Sequence, residues 1–350
     1  MSEDVEVKTH AELAPSAADR WMTCLGATGL SKGQPDQESS YAREGTDYHT
    51  LAAICLDEDT DATEYVGQTL PNGSVVTEEN AKFLQEGYID YVRAHAALGS
   101  LVVEEAVSIA WYTGNKDDAG TADAYGVGGG KELLVDDLKF GMGVDVDPED
   151  NRQCKIYAIS ILEAQDLWDE YETVKITIFQ PRVGDGKPKE WVVPVVALKQ
   201  FKEEVQKVAY FVTHNTSLPY TPSVKACRFC KAKAICPALG SLAESQMVEG
   251  FTDESKPVEA GEAIVSAVKK TGNLAELLGH RMDLCDLIEL YISGVRSAVE
   301  IELLAGRDVI GVDGPYKLVQ GKKGNRKWST EDEAKALLEG FRLKKDEMYD

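Results

Sequence analysis

No apolar run in this 350-residue chain approaches the length of a membrane-spanning helix, which excludes helical insertion into a bilayer. The N-terminus, MSEDVEVKTH, has neither the basic start nor the apolar stretch of a secretory signal, so a cytoplasmic location, bacterial or in a phage-infected host, is expected. There is no internal repeat and no low-complexity tract, so a solenoid is not expected. Cysteine is sparse and odd in number, at 7, which argues against a secreted disulfide framework and for cytosolic thiols, some of them bound to metal. Positive charge is also short. With 37 Lys and Arg against 60 Asp and Glu, the net charge is -23, the opposite of a generally basic DNA-binding surface.

Acidic residues are themselves missing from two stretches. From Val205 to Ala243 there is no Asp or Glu, but there are Lys207, Lys225, Arg228, Lys231 and Lys233. From Gly314 to Thr330 there is again none, alongside Lys317, Lys322, Lys323, Arg326 and Lys327. Binding is local, so a positive channel on an acidic body is compatible with the overall charge; two solvated basic stretches are the plainer alternative. The remaining composition, 43% apolar with 14 Tyr, 8 Phe and 5 Trp, is that of a globular protein large enough for one domain with an extension, or two domains.

Periodicity predicts a helix over 16–25 with Ser16 as N-cap, a polar loop over 31–43, and a helix over Thr46–Leu56 with His49 near its first turn. A long amphipathic helix follows over 77–98, its start marked by Thr77, Glu78 and Glu79. The period then shortens. Leu101–Tyr112, Gly120–Val127 and Glu132–Lys139 read as strands, the last two joined at Gly128-Gly129-Gly130. Asn151–Leu167 reads as a helix, Val174–Gln180 and Trp191–Val196 as paired strands, and Ala197–Thr213 as a helix. An acidic, loop-like stretch is expected over Ser241–Gly261. Two helices are expected over Glu262–Leu304, a strand at Tyr316–Gln320 and a short helix at Glu331–Glu339. The order gives an α/β fold with a mixed sheet flanked by helices, over about residues 1–245, and a mainly helical C-terminal extension over 255–350.

The chemistry sits in the middle strands. Asp123 closes one strand and Asp137-Leu138-Lys139 lies on the next. Phosphodiester cleavage needs an activated water and stabilisation of a highly charged transition state, and Mg²⁺ or Mn²⁺ held by hard oxygen ligands supplies both. Asp123 and Asp137 offer carboxylates, Leu138 a backbone carbonyl, and Lys139, two residues from Asp137 on the same strand face, a positive charge for the water or the phosphate. Exposed strand-end charges are the plainer reading of this pattern.

Four signatures occur in order: Gly45-x-x-x-His49, Gly120-x-x-Asp123, Asp137-x-Lys139 and Gln153-x-x-x-Tyr157. Together they resemble the RecB-like branch of the PD-(D/E)XK nucleases over roughly residues 41–160. The resemblance implies a restriction-endonuclease-like core and a metal-dependent deoxyribonuclease. His49, Asp123 and Asp137 would be metal ligands and Lys139 the catalytic lysine. Gln153 and Tyr157 would be DNA contacts one helical turn apart. An upstream catalytic glutamate would be Glu104 or Glu105, with Glu104 preferred; the alternation does not decide. Taken singly, His49, Gln153 and Tyr157 are ordinary residues.

Cys227-x-x-Cys230-x5-Cys236 puts three thiolates at a spacing that suits a soft metal, and Cys24 is the candidate fourth ligand. Some RecB-like nucleases hold a [4Fe–4S] cluster with one early and three late cysteines, so the resemblance implies such a cluster here, with Zn²⁺ as the alternative. Cys55, Cys154 and Cys285 read as buried free thiols. The segments FQPRVG, CRFCKAKAIC and GPYKLVQGKKGNRKW are similar to a phage- and prophage-encoded group of such nucleases. That likeness implies an exonuclease of recombination, replication or end processing, with DNA and a single-strand-binding or annealing protein as partners. It is compatible with an oligomer. Lys322, Lys323, Arg326 and Lys327 are expected to contact DNA, with Trp328 stacking on a base. The rival functions are a non-catalytic DNA-binding or interaction subunit that keeps the fold, and a zinc-stabilised interaction module.

Overall fold

The computed structural model describes residues 11–35, 40–96, 99–128, 130–141, 144–249, 274–312 and 314–318. The chain divides into two compact units, Met1–Val295 and Arg296–Asp350. Most of the expected composition break lies at 250–273, outside the described residues.

The first unit is an α/β layer structure around one sheet. Its strands are β1 (Ser100–Ser108), β2 (Ala119–Val127), β3 (Glu132–Leu138), β4 (Thr173–Phe179) and β5 (Lys189–Pro194), in spatial order β1-β2-β3-β4-β5. All neighbours are antiparallel except β3 and β4, which run parallel and are joined through a helix, as a parallel step requires. Val135, Ile176 and Ile178 belong to an apolar core built with helices α7 (Arg152–Ala164), α8 (Val195–His214) and α1 (Ala18–Thr23). Ala124, Leu138 and Phe179 belong to another, built with α3 (Ser40–Glu58), α4 (Glu78–Leu84) and α5 (Asp90–Ala96). No helix among the described residues is long and apolar enough to cross a membrane.

The predictions for the five strands of this sheet hold to within a few residues, except at the end of the first. The apolar alternation through Ile109–Tyr112 continues past β1, but Ala110–Thr113 turns into the short helix α6, closed by Gly114 at φ 74°. Ser16 lies inside a single 3₁₀ turn, Pro15–Ala17, and caps nothing; α1 follows it directly. Residues Ala27–Ser31 form α2. Helix α3 starts at Ser40, so His49 lies in its third turn, not near its first. Tyr41–Glu44 are acceptable helix formers, and a β-carbon at Gly45 would meet nothing, so the helix runs through the glycine.

The 77–98 helix forms with Thr77 as its N-cap, accepting from the amide of Asn80 at 3.1 Å. Between α4 and α5 it widens into one π turn, Gln85–Ile89. After β5 and α8 come α9 (Val224–Cys227) and α10 (Pro237–Glu249). The latter occupies the first part of the stretch read as an acidic loop. Its apolar residues include Leu239 and Ala243, both buried. Helix α11 (Leu274–Leu304) forms the second of the two helices expected over Glu262–Leu304; the first, and the break expected near Thr271–Asn273, lie outside the described residues. Cys285 on it is exposed, not buried, because it stands about 200° round the helix from buried Leu287. Beyond it, Ile310–Gly311 (β6) pairs with Gly314–Pro315 (β7); Tyr316–Leu318 form no strand. The expected helix at Glu331–Glu339 lies outside the described residues.

Candidate metal centre and thiol cluster

Strand register builds the centre. In β1 and β2, Val103 pairs with Ala124 and Glu105 with Ala122, so Glu104 stands opposite Asp123. In β2 and β3, Ala124 pairs with Asp136, so the next step brings Asp123 level with Asp137. Three acids thus form one row across three neighbouring strands. Glu104 has φ 47°, a left-handed torsion that interrupts the ladder and costs a non-glycine residue about 1–3 kcal/mol. That torsion is why strand alternation could not choose between the two glutamates. Glu105 accepts a hydrogen bond from the Tyr125 hydroxyl, whereas the Glu104 carboxylate lies 3.8 Å from His49 Nδ1. The structure therefore assigns Glu104 to the row.

His49 comes from α3, and the residues before it fix its place. Asp47 is fully buried and accepts from the amides of Asn72, at 2.8 Å, and Ser74, at 3.0 Å. Tyr48 stacks on Phe140 at 4.0 Å. His49 Nδ1 then stands 3.3 Å from Asp123 Oδ1. The other Asp123 oxygen accepts from the backbone amide of Leu138 at 2.7 Å. Leu138, expected to offer its carbonyl, also contributes its N–H to the site. Ligand atoms of His49, Glu104 and Asp123 all lie within 4.8 Å of one another. Asp137 is held differently. Both its oxygens bind Lys139 Nζ, at 2.8 and 2.6 Å.

Opposite charges face each other across the centre. Burial opposes protonation of His49, but Asp123 first, and then Glu104, outweigh it and push its pKa up to about 10. Burial likewise opposes the Lys139 ammonium, and Asp137 and Asp123 overcome this, holding it above the ordinary lysine value. Asp123 is desolvated yet held below the usual carboxylate range by His49 and Lys139. Burial wins at Asp137, whose pKa is raised despite Lys139.

Helix α7 lies under this row, N-capped by Asn151, whose side chain accepts from the Cys154 amide at 3.1 Å. Gln153 donates to the Tyr157 hydroxyl at 3.3 Å. Gly120 explains the small residue three before Asp123. A β-carbon there would sit 2.8 Å from the Tyr157 ring and 2.9 Å from Pro15.

Two features escaped the sequence reading. Asp136, beside Asp137, is buried and bonded to His95 Nδ1 at 2.7 Å; burial raises its pKa and His95 only partly offsets this. Two adjacent aspartates on a strand point to opposite faces, so one had to be buried and needed a partner; that was the available signal. The other is Tyr88 in the π turn. Burial raises its pKa, and of the surrounding charges Asp123 adds most to the effect.

The four expected cysteines also converge. Cys24 closes α1 and accepts from the Thr221 amide at 3.3 Å. This approach needs Gly26, where a β-carbon would stand 2.6 Å from the Tyr220 ring. Cys227 closes α9, which Ser223 caps, accepting from the Ala226 amide at 3.1 Å. Cys230 lies 3.8 Å from the Ser31 hydroxyl. Burial raises the Cys24 thiol, with Cys236 and Cys230 adding to the effect. Cys227 is likewise raised by burial and feels the other three, so all four are within electrostatic reach. Leu287 buries against Cys227 and Leu239, with Cys236 and Tyr291 beside them. Cys55 and Cys154 are buried as expected. Lys322, Lys323, Arg326, Lys327 and Trp328 lie outside the described residues.

The profile of the family described as "Protein of unknown function (DUF2800)" matches residues 10–350, and the chain belongs to that family. Among solved structures, one titled "Crystal structure of SSO0001" aligns with 54% of this chain and 84% of its own, at 16% identity and a TM-score of 0.22, a likeness that carries no argument.

Proposed function

We propose that this member of the family is a metal-dependent DNA nuclease with a RecB-like core, acting as an exonuclease in phage-type recombination, replication or end processing. One observation carries the reading: Glu104, Asp123 and Asp137 stand in a row across three strands, with His49 over Asp123 and Lys139 fixed to Asp137. The donor set fits a hard divalent ion, since two carboxylates and an imidazole present ligand atoms within 4.8 Å. His49, Glu104 and Asp123 would hold Mg²⁺ or Mn²⁺, with Asp137 beside them. When bound, such an ion supplies a water of lowered pKa and positive charge against the phosphate.

The protein groups do the rest. Lys139 keeps its proton at Nζ and presents a fixed cation where charge develops on a phosphoryl oxygen. The Leu138 amide holds one Asp123 oxygen, which leaves the other turned to His49. Gln153, half-buried on α7, offers a polar contact to a DNA strand, while buried Tyr157, one turn on, accepts from it and holds it in place.

The thiols support a [4Fe–4S] site. A cluster held by Cys24, Cys227, Cys230 and Cys236 would tie Cys24 to a segment about 200 residues later.

The test uses end-labelled linear DNA and closed circular DNA, with and without Mn²⁺. The expected result is Mn²⁺-dependent digestion of the linear form alone, lost in Asp137→Ala. Cleavage by Asp137→Ala at the wild-type rate would sink the assignment.

A further inference from the structure

The thiol segment carries a feature that metal binding does not explain. Phe229, between Cys227 and Cys230, is 72% exposed, and Ile235 is 54% exposed. Yet the backbone beneath Phe229 is pinned. Arg20 Nη1 donates to the Phe229 carbonyl at 2.8 Å, Lys233 Nζ to the Arg228 carbonyl at 3.2 Å, and the Cys230 amide to the Cys227 carbonyl at 3.1 Å. A large ring held out to water on an ordered loop is a binding surface in waiting. Its neighbours are cationic: Arg228 is half-buried, Lys225 and Lys231 are exposed, and no acid occurs between Val205 and Ala243.

The segment also connects to the candidate centre. Asp19 binds Lys225 at 2.9 Å and Arg152 at 3.7 Å. Arg152 begins α7, and Gln153 and Tyr157 follow on the helix that flanks Asp137 and Lys139.

We propose that Lys225–Ile235 is a platform for single-stranded nucleic acid, on which Phe229 stacks with an unpaired base while Arg228 and Lys231 meet the phosphates. The inference rests on the nuclease reading for where the strand leads, and it makes a frayed or single-stranded end the substrate. Aromatic stacking tolerates any base, so recognition is independent of sequence.

The test is fluorescence anisotropy of a labelled oligothymidine and of a blunt duplex of equal length, in EDTA so that nothing is cut. Phe229→Ala should weaken oligothymidine binding by about tenfold or more and duplex binding by less than about twofold, with Phe229→Trp restoring the first. Arg228→Ala should lower the salt slope by about one counterion. The thermal midpoint of Phe229→Ala should move little, because most of the ring is already in water. Oligothymidine binding unchanged in Phe229→Ala, while Mn²⁺-dependent cleavage persists, overturns the platform alone. Loss of self-association in that variant with unchanged DNA binding assigns the ring to a protein interface and also overturns it. Absence of wild-type binding to either DNA overturns the platform and the nuclease reading together.

Discussion

Metal binding at this centre should be coupled to loss of one proton, and His49 is its source. With its pKa pushed up to about 10, His49 is protonated at neutral pH, and Nδ1 is the atom facing Asp123 and Glu104. An ion can take that nitrogen only after the proton leaves. The resulting penalty on apparent affinity is roughly 1,000-fold at pH 7 and roughly 100-fold at pH 8, vanishing near pH 10. Mn²⁺ affinity should therefore rise about tenfold per pH unit between pH 7 and 9, with nearly one proton released per ion. A site of carboxylates alone would be flat over that range.

Calorimetric titration in buffers of different ionisation enthalpy counts the protons directly. His49→Gln should bind Mn²⁺ more weakly at pH 9 and lose the slope. Without metal the sign reverses. The folded-state pKa lies above the unfolded value, so the stability His49 adds is complete below about pH 6.5 and is lost as pH climbs towards about 10. Fewer than about 0.3 protons released per ion at pH 7.5, or an unchanged slope in His49→Gln, would refute the reasoning.

Three further outcomes follow from the packing. Gly120→Ala should cost about 1–3 kcal/mol in denaturant unfolding and shift Tyr157, because the new carbon falls 2.8 Å from that ring and 2.9 Å from Pro15. His95→Ala leaves Asp136 buried without its partner. The loss should approach about 3–5 kcal/mol where Asp136 is ionised and shrink as the pH falls and Asp136 takes up a proton; a loss independent of pH would contradict the pairing. Protein purified without oxygen should be brown, and Cys24→Ser or Cys230→Ser should bleach and destabilise it. A colourless protein with one zinc per chain would favour the zinc alternative.

The centre was legible in the sequence where chemistry and period coincide. Asp123 and Asp137-x-Lys139 fall on strands whose alternation and turn residues are local signals, and Asn151 marks the start of α7 by its own side chain. The torsion at Glu104 was not legible, since nothing in Val103-Glu104-Glu105 announces a left-handed residue. The π turn was hidden because Gln85–Ile89 keeps a helical apolar pattern; the structure shows Gly87 there packed on Pro181, a contact made across the fold. The Ile109–Tyr112 helix was misread for a similar reason: alternation cannot report where a ladder loses its partner, and β1 ends where β2 begins. The convergence of Cys24 with Cys227, Cys230 and Cys236 came from counting ligands, whereas the cover supplied by Leu287 and Tyr291 is long-range packing.

The kink at Glu104 also bears on how the molecule keeps itself apart from its own copies. Among the described residues β1 is an outer strand of the sheet, with one rim facing no other strand. Such a rim invites a neighbour's backbone, and the usual protections are charge and a break in regularity. Glu104 and Glu105 provide the first, and the left-handed torsion between Val103 and Glu105 provides the second. Restoring ordinary strand geometry there would disturb the acid row and straighten the rim in the same stroke, so one backbone angle serves both the candidate centre and the edge.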